Sequence, residues 1–81
     1  MLGFHVHTEV AVSSGRIDMT VETSSYVYLF EFKLDSTAEA AIKQIHHKAY
    51  AAKFASDTRR VFIIGASFSS VTNTLSSFLI E

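Results

Sequence analysis

The chain has 81 residues, 48% of them hydrophobic, with seven Phe, three Tyr, no Cys and a formal net charge of −1. This composition predicts one small folded domain, and the lack of Cys excludes disulfides, zinc–thiolate sites and cysteine nucleophiles. No apolar run approaches the roughly 20 residues that span a membrane. A slightly negative charge is not typical of a dedicated non-specific nucleic-acid binder, and a Cys-free chain fits a reducing cytoplasm.

The first predicted strand covers residues 4–12, in which apolar and polar side chains alternate. One of its faces carries His5, His7 and Glu9. Histidines two residues apart can bind zinc, but tetrahedral sites need three or four ligands, so we interpret His5 and His7 as half-exposed strand residues. Glu9 is a candidate third carboxylate, because a two- or four-residue turn after the strand places it opposite Asp18. A three-residue turn places its neighbour there instead.

Two further strands are predicted at residues 16–23 and 26–34, the first with alternating polarity and the second apolar nearly throughout. If residues 24–25 form a two-residue hairpin loop, Asp18 lies directly opposite Glu31. Like charges opposite each other destabilise a sheet, and a divalent cation with oxygen ligands would remove that cost. The pair therefore predicts a magnesium site.

Lys33 follows Glu31 by two residues and is expected on the same face of the strand. There it could stabilise charge on a phosphate or orient a water. The alternative is a structural ion pair in which Lys33 neutralises both acids at the sheet surface. The residues by themselves leave these two interpretations open.

The period becomes helical after the third strand. Ser36 and Glu39 have the spacing of a capping box, and an apolar stripe rich in alanine continues to residue 55. The small alanines favour close packing of this helix on a sheet. His46 and His47 are adjacent on the helix, so we expect both to face solvent and assign them no role.

Two more strands are predicted at residues 60–67 and 72–80. The order β-β-β-α-β-β predicts an α/β fold with a mixed sheet of four to five strands and one main helix. The first three strands are antiparallel and the fourth is parallel to the third. A single helix covers only one face of the sheet. The apolar residues of the other face predict a homodimer or a higher oligomer.

Asp18, followed one strand later by Glu31-Phe32-Lys33, resembles the motif of the PD-(D/E)xK nuclease superfamily. Residues 15–18, 26–35 and 38–45 are similar to the nuclease-like domain at the C-terminus of bacterial AAA-ATPase-like proteins of the Bacteroidetes type. The resemblance implies a restriction-endonuclease-like core formed by residues 1–81. It also implies that the usual N-terminal core helix is missing, so we expect a fragment of a longer protein with an AAA-ATPase-like domain upstream.

The resemblance implies a metal site for Mg²⁺ or Mn²⁺. Asp18 and Glu31 would be the metal ligands, joined by the main-chain carbonyl of Phe32, with Glu9 as a further candidate.

The resemblance also implies that Lys33 is the catalytic lysine and that Gln44 and Tyr50 are helix residues facing the site. The expected activity is metal-assisted hydrolysis of phosphodiester bonds in nucleic acid, with DNA as the expected substrate and no membrane partner. Two alternatives stay open. For Tyr50, the alternative to a site residue is a residue that packs in the core. For the whole domain, the alternative to a nuclease is a catalytically inactive interaction and oligomerisation module.

Overall fold

The computed structural model describes residues 3–12, 15–48 and 50–81. Over these ranges the chain forms one five-stranded sheet, with strand order β1-β2-β3-β4-β5, and one α-helix. In chain order the elements are strands β1 (Phe4–Val12), β2 (Gly15–Thr23) and β3 (Tyr26–Leu34), helix α1 (Ala38–His47), a short 3-10 helix (Tyr50–Ala52), and strands β4 (Arg60–Ser69) and β5 (Thr74–Ile80). The predicted α/β fold and its element order are confirmed.

Strand directions also agree with the prediction. Strands β1, β2 and β3 form an antiparallel meander, β4 runs parallel to β3, and β5 returns antiparallel to β4. The hairpin between β2 and β3 is closed by Thr23, whose hydroxyl accepts hydrogen bonds from the N–H groups of Ser25 (3.2 Å) and Tyr26 (2.9 Å). This two-residue loop sets the predicted register, which the pairs from Met19↔Phe30 to Glu22↔Val27 confirm.

Helix α1 packs on one face of the sheet. The fully or almost fully buried side chains between them form one cluster: Ile17, Val27, Leu29, Ile42, Ile45 and Ile63. Gly65 on β4 marks the closest approach, because a Cβ there would lie 2.5 Å from the Ala38 carbonyl oxygen and 2.9 Å from Ala41 Cβ. Small residues on both elements therefore let the helix lie against the sheet, as the alanine-rich stripe predicted.

The helix begins one residue later than predicted. Thr37 is the N-cap, and its hydroxyl accepts a hydrogen bond from Ala40 N–H at 3.0 Å. The predicted cap, Ser36, is engaged elsewhere, because its N–H donates to the hydroxyl of Ser67 (3.3 Å) and its carbonyl accepts from that hydroxyl (2.7 Å). The prediction of Ser36 as N-cap was wrong because this contact joins residues distant in sequence.

The helix also ends earlier than predicted, at His47 rather than residue 55. The N–H of Lys48 is shared between the carbonyls of Gln44 and Ile45, at 3.1 Å each, which tightens the last turn. No helix in the described ranges is long and apolar enough to cross a membrane.

Strands β1 and β2 are irregular at one point. The β1–β2 pairs continue on both sides of Glu9 and Asp18 but pass over these two residues, and Glu9 has φ +51°. Ile17 and Thr20 are both buried on the α1 side, Ile17 in the core cluster and Thr20 opposite Leu29. Residues three apart on a regular strand face opposite sides, so the alternation shifts between them. The alternating polarity predicted for residues 16–23 puts Ile17 and Thr20 on opposite faces, and that prediction was wrong for this reason.

The sheet face away from α1 is apolar and largely aromatic. The rings of Tyr28 and Phe62 stack with centroids 5.4 Å apart, and those of Phe32 and Phe68 lie 6.0 Å apart. Exposed side chains continue across this aromatic face, including Phe78 at 58%. Within the described part of the chain no helix covers the aromatic face, in agreement with the prediction that a single helix covers only one face of the sheet.

Candidate active site

Asp18 lies where the pairing of β2 with β3 stops. The recorded pairs end at Met19↔Phe30, and the next β3 amide directed towards β2 belongs to Phe32. The Oδ2 atom of Asp18 accepts that N–H at 2.9 Å, in the position that a ladder carbonyl of β2 would otherwise take. Because the N–H and C=O of one strand residue point to the same side, the Phe32 carbonyl also points towards β2.

Glu31 is the buried member of the acidic pair. It alternates with the buried residues Val27 and Leu29, so its side chain lies on the α1 side of the sheet, where it is only 4% exposed. The carboxyl of Asp18 lies close enough to that of Glu31 to act on it electrostatically. Burial raises the pKa of Glu31 above its ordinary value, the Lys48 ammonium opposes that rise, and Asp18 adds to it. The two carboxyl groups thus meet from neighbouring strands.

Lys48 is the cation that neutralises Glu31. Its Nζ donates to both Glu31 oxygens, at 3.1 Å to Oε1 and 2.9 Å to Oε2. The structural alternative named Lys33 for this role, and that assignment was wrong. Sequence reasoning gave Lys48 no role. The available signal was its place four residues after Gln44, on the same side of the helix.

Lys33 lies two residues beyond Glu31, in register with Ser67 of β4. Strand alternation puts it on the Glu31 face, and it is half-buried. Among the described residues its ammonium makes no ion pair and no hydrogen bond. Its catalytic role stays a prediction.

Two buried side-chain oxygens have no hydrogen-bond partner within the described ranges: Gln44 Oε1 on α1 and Thr20 Oγ1 on β2. Thr20 is two residues from Asp18. Unpaired buried polar atoms are rare, and they are suited to take an added water or ligand. Tyr50, in contrast, packs against the core cluster with its ring 6.0 Å from that of His46, as the core-packing alternative predicted.

Glu9 does not enlarge the acidic pair to a three-carboxylate cluster. The β1–β2 register places Glu9 across from Asp18, as a two-residue turn requires, but Glu9 is exposed. The turn itself, residues 13–14, lies outside the described ranges. In the described part of the chain no three His, Cys, Asp or Glu side chains come together as metal ligands. His7 Nε2 lies 3.5 Å from Glu22 Oε2, and His46 Nε2 lies 3.0 Å from Glu81 Oε1.

The donor set at Asp18, Glu31 and Phe32 fits a magnesium ion. It consists of the neighbouring carboxyl groups of Asp18 and Glu31 and of the Phe32 carbonyl, which strand geometry directs towards β2. These are hard oxygen donors, and Mg²⁺ commonly takes one or two protein carboxylates and completes its shell with waters and substrate phosphate.

Comparison with known proteins gives two matches. Residues 1–78 match the model of a family described as the PD-(D/E)XK nuclease superfamily. A curated relative from Azotobacter chroococcum mcd 1, described as an uncharacterized protein in the vnfD 5' region, is 39% identical over 82 residues, which are 99% of this chain and 16% of the relative. No solved structure matches the chain. On the extent of the family match, the chain belongs to the PD-(D/E)XK nuclease superfamily.

Proposed function

We propose that this chain carries the catalytic core of a metal-dependent nuclease that hydrolyses phosphodiester bonds in nucleic acid, with DNA as substrate. The observation that supports this most is the meeting of Asp18 and Glu31 from neighbouring strands, in a chain of a nuclease superfamily. Two adjacent carboxyl groups, one of them buried, cost stability in a purely structural sheet. A bound cation would offset the repulsion between these two carboxyl groups.

In this proposal Asp18, Glu31 and the Phe32 carbonyl hold Mg²⁺ or Mn²⁺. A metal bound there would lower the pKa of a coordinated water and polarise the scissile phosphate. Lys33, on the Glu31 face, orients the attacking water and stabilises negative charge on the phosphate oxygens. Gln44 offers a buried amide oxygen from the α1 side as an acceptor.

The chain covers 16% of the length of the curated relative. We propose that the domain works within a longer cytoplasmic protein that has an AAA-ATPase-like region upstream, as the resemblance implies. Such a region would also supply the basic surface that a chain of net charge −1 lacks.

A cleavage assay tests the proposal. Wild type, Asp18→Asn and Glu39→Gln are incubated with plasmid DNA, and in parallel with RNA, in the presence of Mg²⁺ or Mn²⁺. Glu39 is an exposed acid on α1, so its substitution controls for the loss of one charge. We expect cleavage of DNA by wild type and by Glu39→Gln, and a loss of about 100-fold or more in Asp18→Asn. Equal cleavage by Asp18→Asn would show that the site is wrongly assigned, and cleavage of RNA alone would replace DNA as substrate.

A second candidate function is a catalytically inactive interaction module. Two observations favour it: the exposed aromatic face, and the ion pair by which Lys48 neutralises Glu31. In this case we propose that a second copy of the chain covers the aromatic face. Titration with Mg²⁺ separates the two candidates, because a metal that binds only the folded state must raise the unfolding temperature. No change at millimolar metal favours the interaction module.

A further inference from the structure

We infer that Lys48 is the resident counter-ion of the acidic pair, and that a divalent metal must displace its ammonium from Glu31 in order to bind. The inference rests on the proposed function, because it concerns the same two carboxylates. It assigns to Lys48 the control of metal affinity, which is separate from the catalytic role proposed for Lys33.

The contact itself supports competition. The ammonium lies 2.9 Å and 3.1 Å from the two oxygens of Glu31, so it occupies the position between them that a chelated cation would take. The Lys48 side chain is 17% exposed and that of Glu31 only 4%, so little solvent screens the pair. A metal ion and an ammonium at the same buried carboxylate would repel each other strongly, because the Coulomb energy grows as the effective dielectric constant falls.

The fold delivers this ammonium to the site. Lys48 is the C-cap of α1, and its backbone N–H is held by the carbonyls of Gln44 and Ile45. Its aliphatic stem crosses Gly15, where an added Cβ would lie only 3.4 Å from Lys48 Cγ. Gly15 has φ +152°, a conformation that favours glycine. The pair is thus a consequence of where α1 ends.

The chain itself supplies a partner for each member of the acidic pair. Asp18 gives one oxygen to the Phe32 N–H, and Glu31 gives both of its oxygens to Lys48. Each carboxyl group therefore has a partner from the chain itself, and metal binding would exchange the partner of Glu31. The free energy needed to open the ion pair is then subtracted from the intrinsic affinity of the site for metal.

Calorimetric titration with Mn²⁺ tests the inference on four proteins: wild type, Lys48→Met, Lys48→Arg and Lys43→Met. Lys43 is an exposed lysine of the same helix, so Lys43→Met removes the same charge outside the ion pair. We expect Lys48→Met to bind Mn²⁺ about tenfold or more tightly than wild type. Lys48→Arg, which keeps the charge, and Lys43→Met, whose lost charge is screened by solvent, should stay within about threefold of wild type.

Binding by wild type together with equal or weaker binding by Lys48→Met would overturn the inference and leave the proposed function standing. Absence of binding in all four proteins would overturn both. Circular dichroism of each variant checks that it is folded, because loss of one partner of a buried pair is destabilising.

A measurement on wild type avoids the substitution. The ¹⁵N resonance of the Lys48 ammonium, protected in the ion pair, is followed by nuclear magnetic resonance as Mg²⁺ is added. We expect the signal to lose its protection as the metal site fills, while the Lys43 ammonium is unchanged. An ammonium of Lys48 that stays hydrogen-bonded to Glu31 at saturating Mg²⁺ would contradict displacement.

Discussion

Replacement of Gly65 by alanine should push α1 away from the sheet and destabilise the fold. The added Cβ would lie 2.5 Å from the Ala38 carbonyl oxygen, 2.9 Å from Ala41 Cβ and 3.0 Å from Ile42 Cγ1. A backbone carbonyl cannot turn away, so the helix must move. Overpacking of this kind costs about 1–3 kcal/mol, and we place it near 3. Loss of glycine freedom in the unfolded chain offsets about 0.4–1 kcal/mol. The net loss is then about 2 kcal/mol, or about 8–16 °C in a domain of this size.

Thermal unfolding followed by circular dichroism measures this effect. Gly3→Ala is the matched control, because an added Cβ at Gly3 meets nothing within 4 Å. We expect its unfolding temperature to stay within about 4 °C of wild type, since surface substitutions change stability by about 0.5 kcal/mol or less. An unfolding temperature of Gly65→Ala equal to that of Gly3→Ala would refute the close packing of α1 on β4.

Four further predictions concern charge and assembly. Glu31→Gln and Lys48→Met should each lose about 1–3 kcal/mol in urea denaturation, and the double variant should recover part of it; additive losses would contradict the ion pair. The pKa of Glu31 is raised in the folded state, so folding favours the protonated carboxyl. As the pH rises from 4.5 through the folded-state pKa of Glu31, wild type should therefore lose stability relative to Glu31→Gln. A difference in unfolding free energy that does not change with pH would contradict this. The Arg59 guanidinium lowers the pKa of Asp57 to about 2. Above pH 3.8, Asp57→Asn should therefore have a lower urea midpoint than wild type, and this difference should vanish as the pH falls through about 2. A difference in urea midpoint that does not depend on pH would count against the Asp57–Arg59 ion pair. Sedimentation of the chain should show a dimer through the aromatic face, and a soluble monomer would argue against it.

The register of β2 with β3 was predictable, because a two-residue loop and the side-chain period together allow one pairing. The alternation of polar and apolar residues could not reveal the irregularity at Glu9 and Asp18. That irregularity lies in the backbone, in the positive φ of Glu9 and in the interrupted pairing of β1 with β2. That irregularity turns Ile17 into the core and leaves Asp18 to accept the Phe32 N–H. The helix start was misplaced by one residue for a similar reason, since Ser36 is held by a distant serine.

The acidic pair of the candidate site was predictable for the same reason as the register. The cation beside it was not, because the contact of Lys48 with Glu31 depends on where α1 ends and on the path of the Lys48 side chain past Gly15. Lys33 was the natural choice from local spacing alone. The predicted continuation of the helix to residue 55 also obscured the position of Lys48 at the C-cap.

Metal-dependent thermal stability tests the central claim most directly. With Mg²⁺ at about ten times its dissociation constant, binding to the folded state should add about 1.4 kcal/mol, which is about 6–11 °C for this chain. Wild type should show this rise on titration, and Asp18→Asn should show little of it. A rise of equal size in Asp18→Asn, or no rise in wild type at any millimolar concentration of Mg²⁺ or Mn²⁺, would contradict a metal site at Asp18 and Glu31.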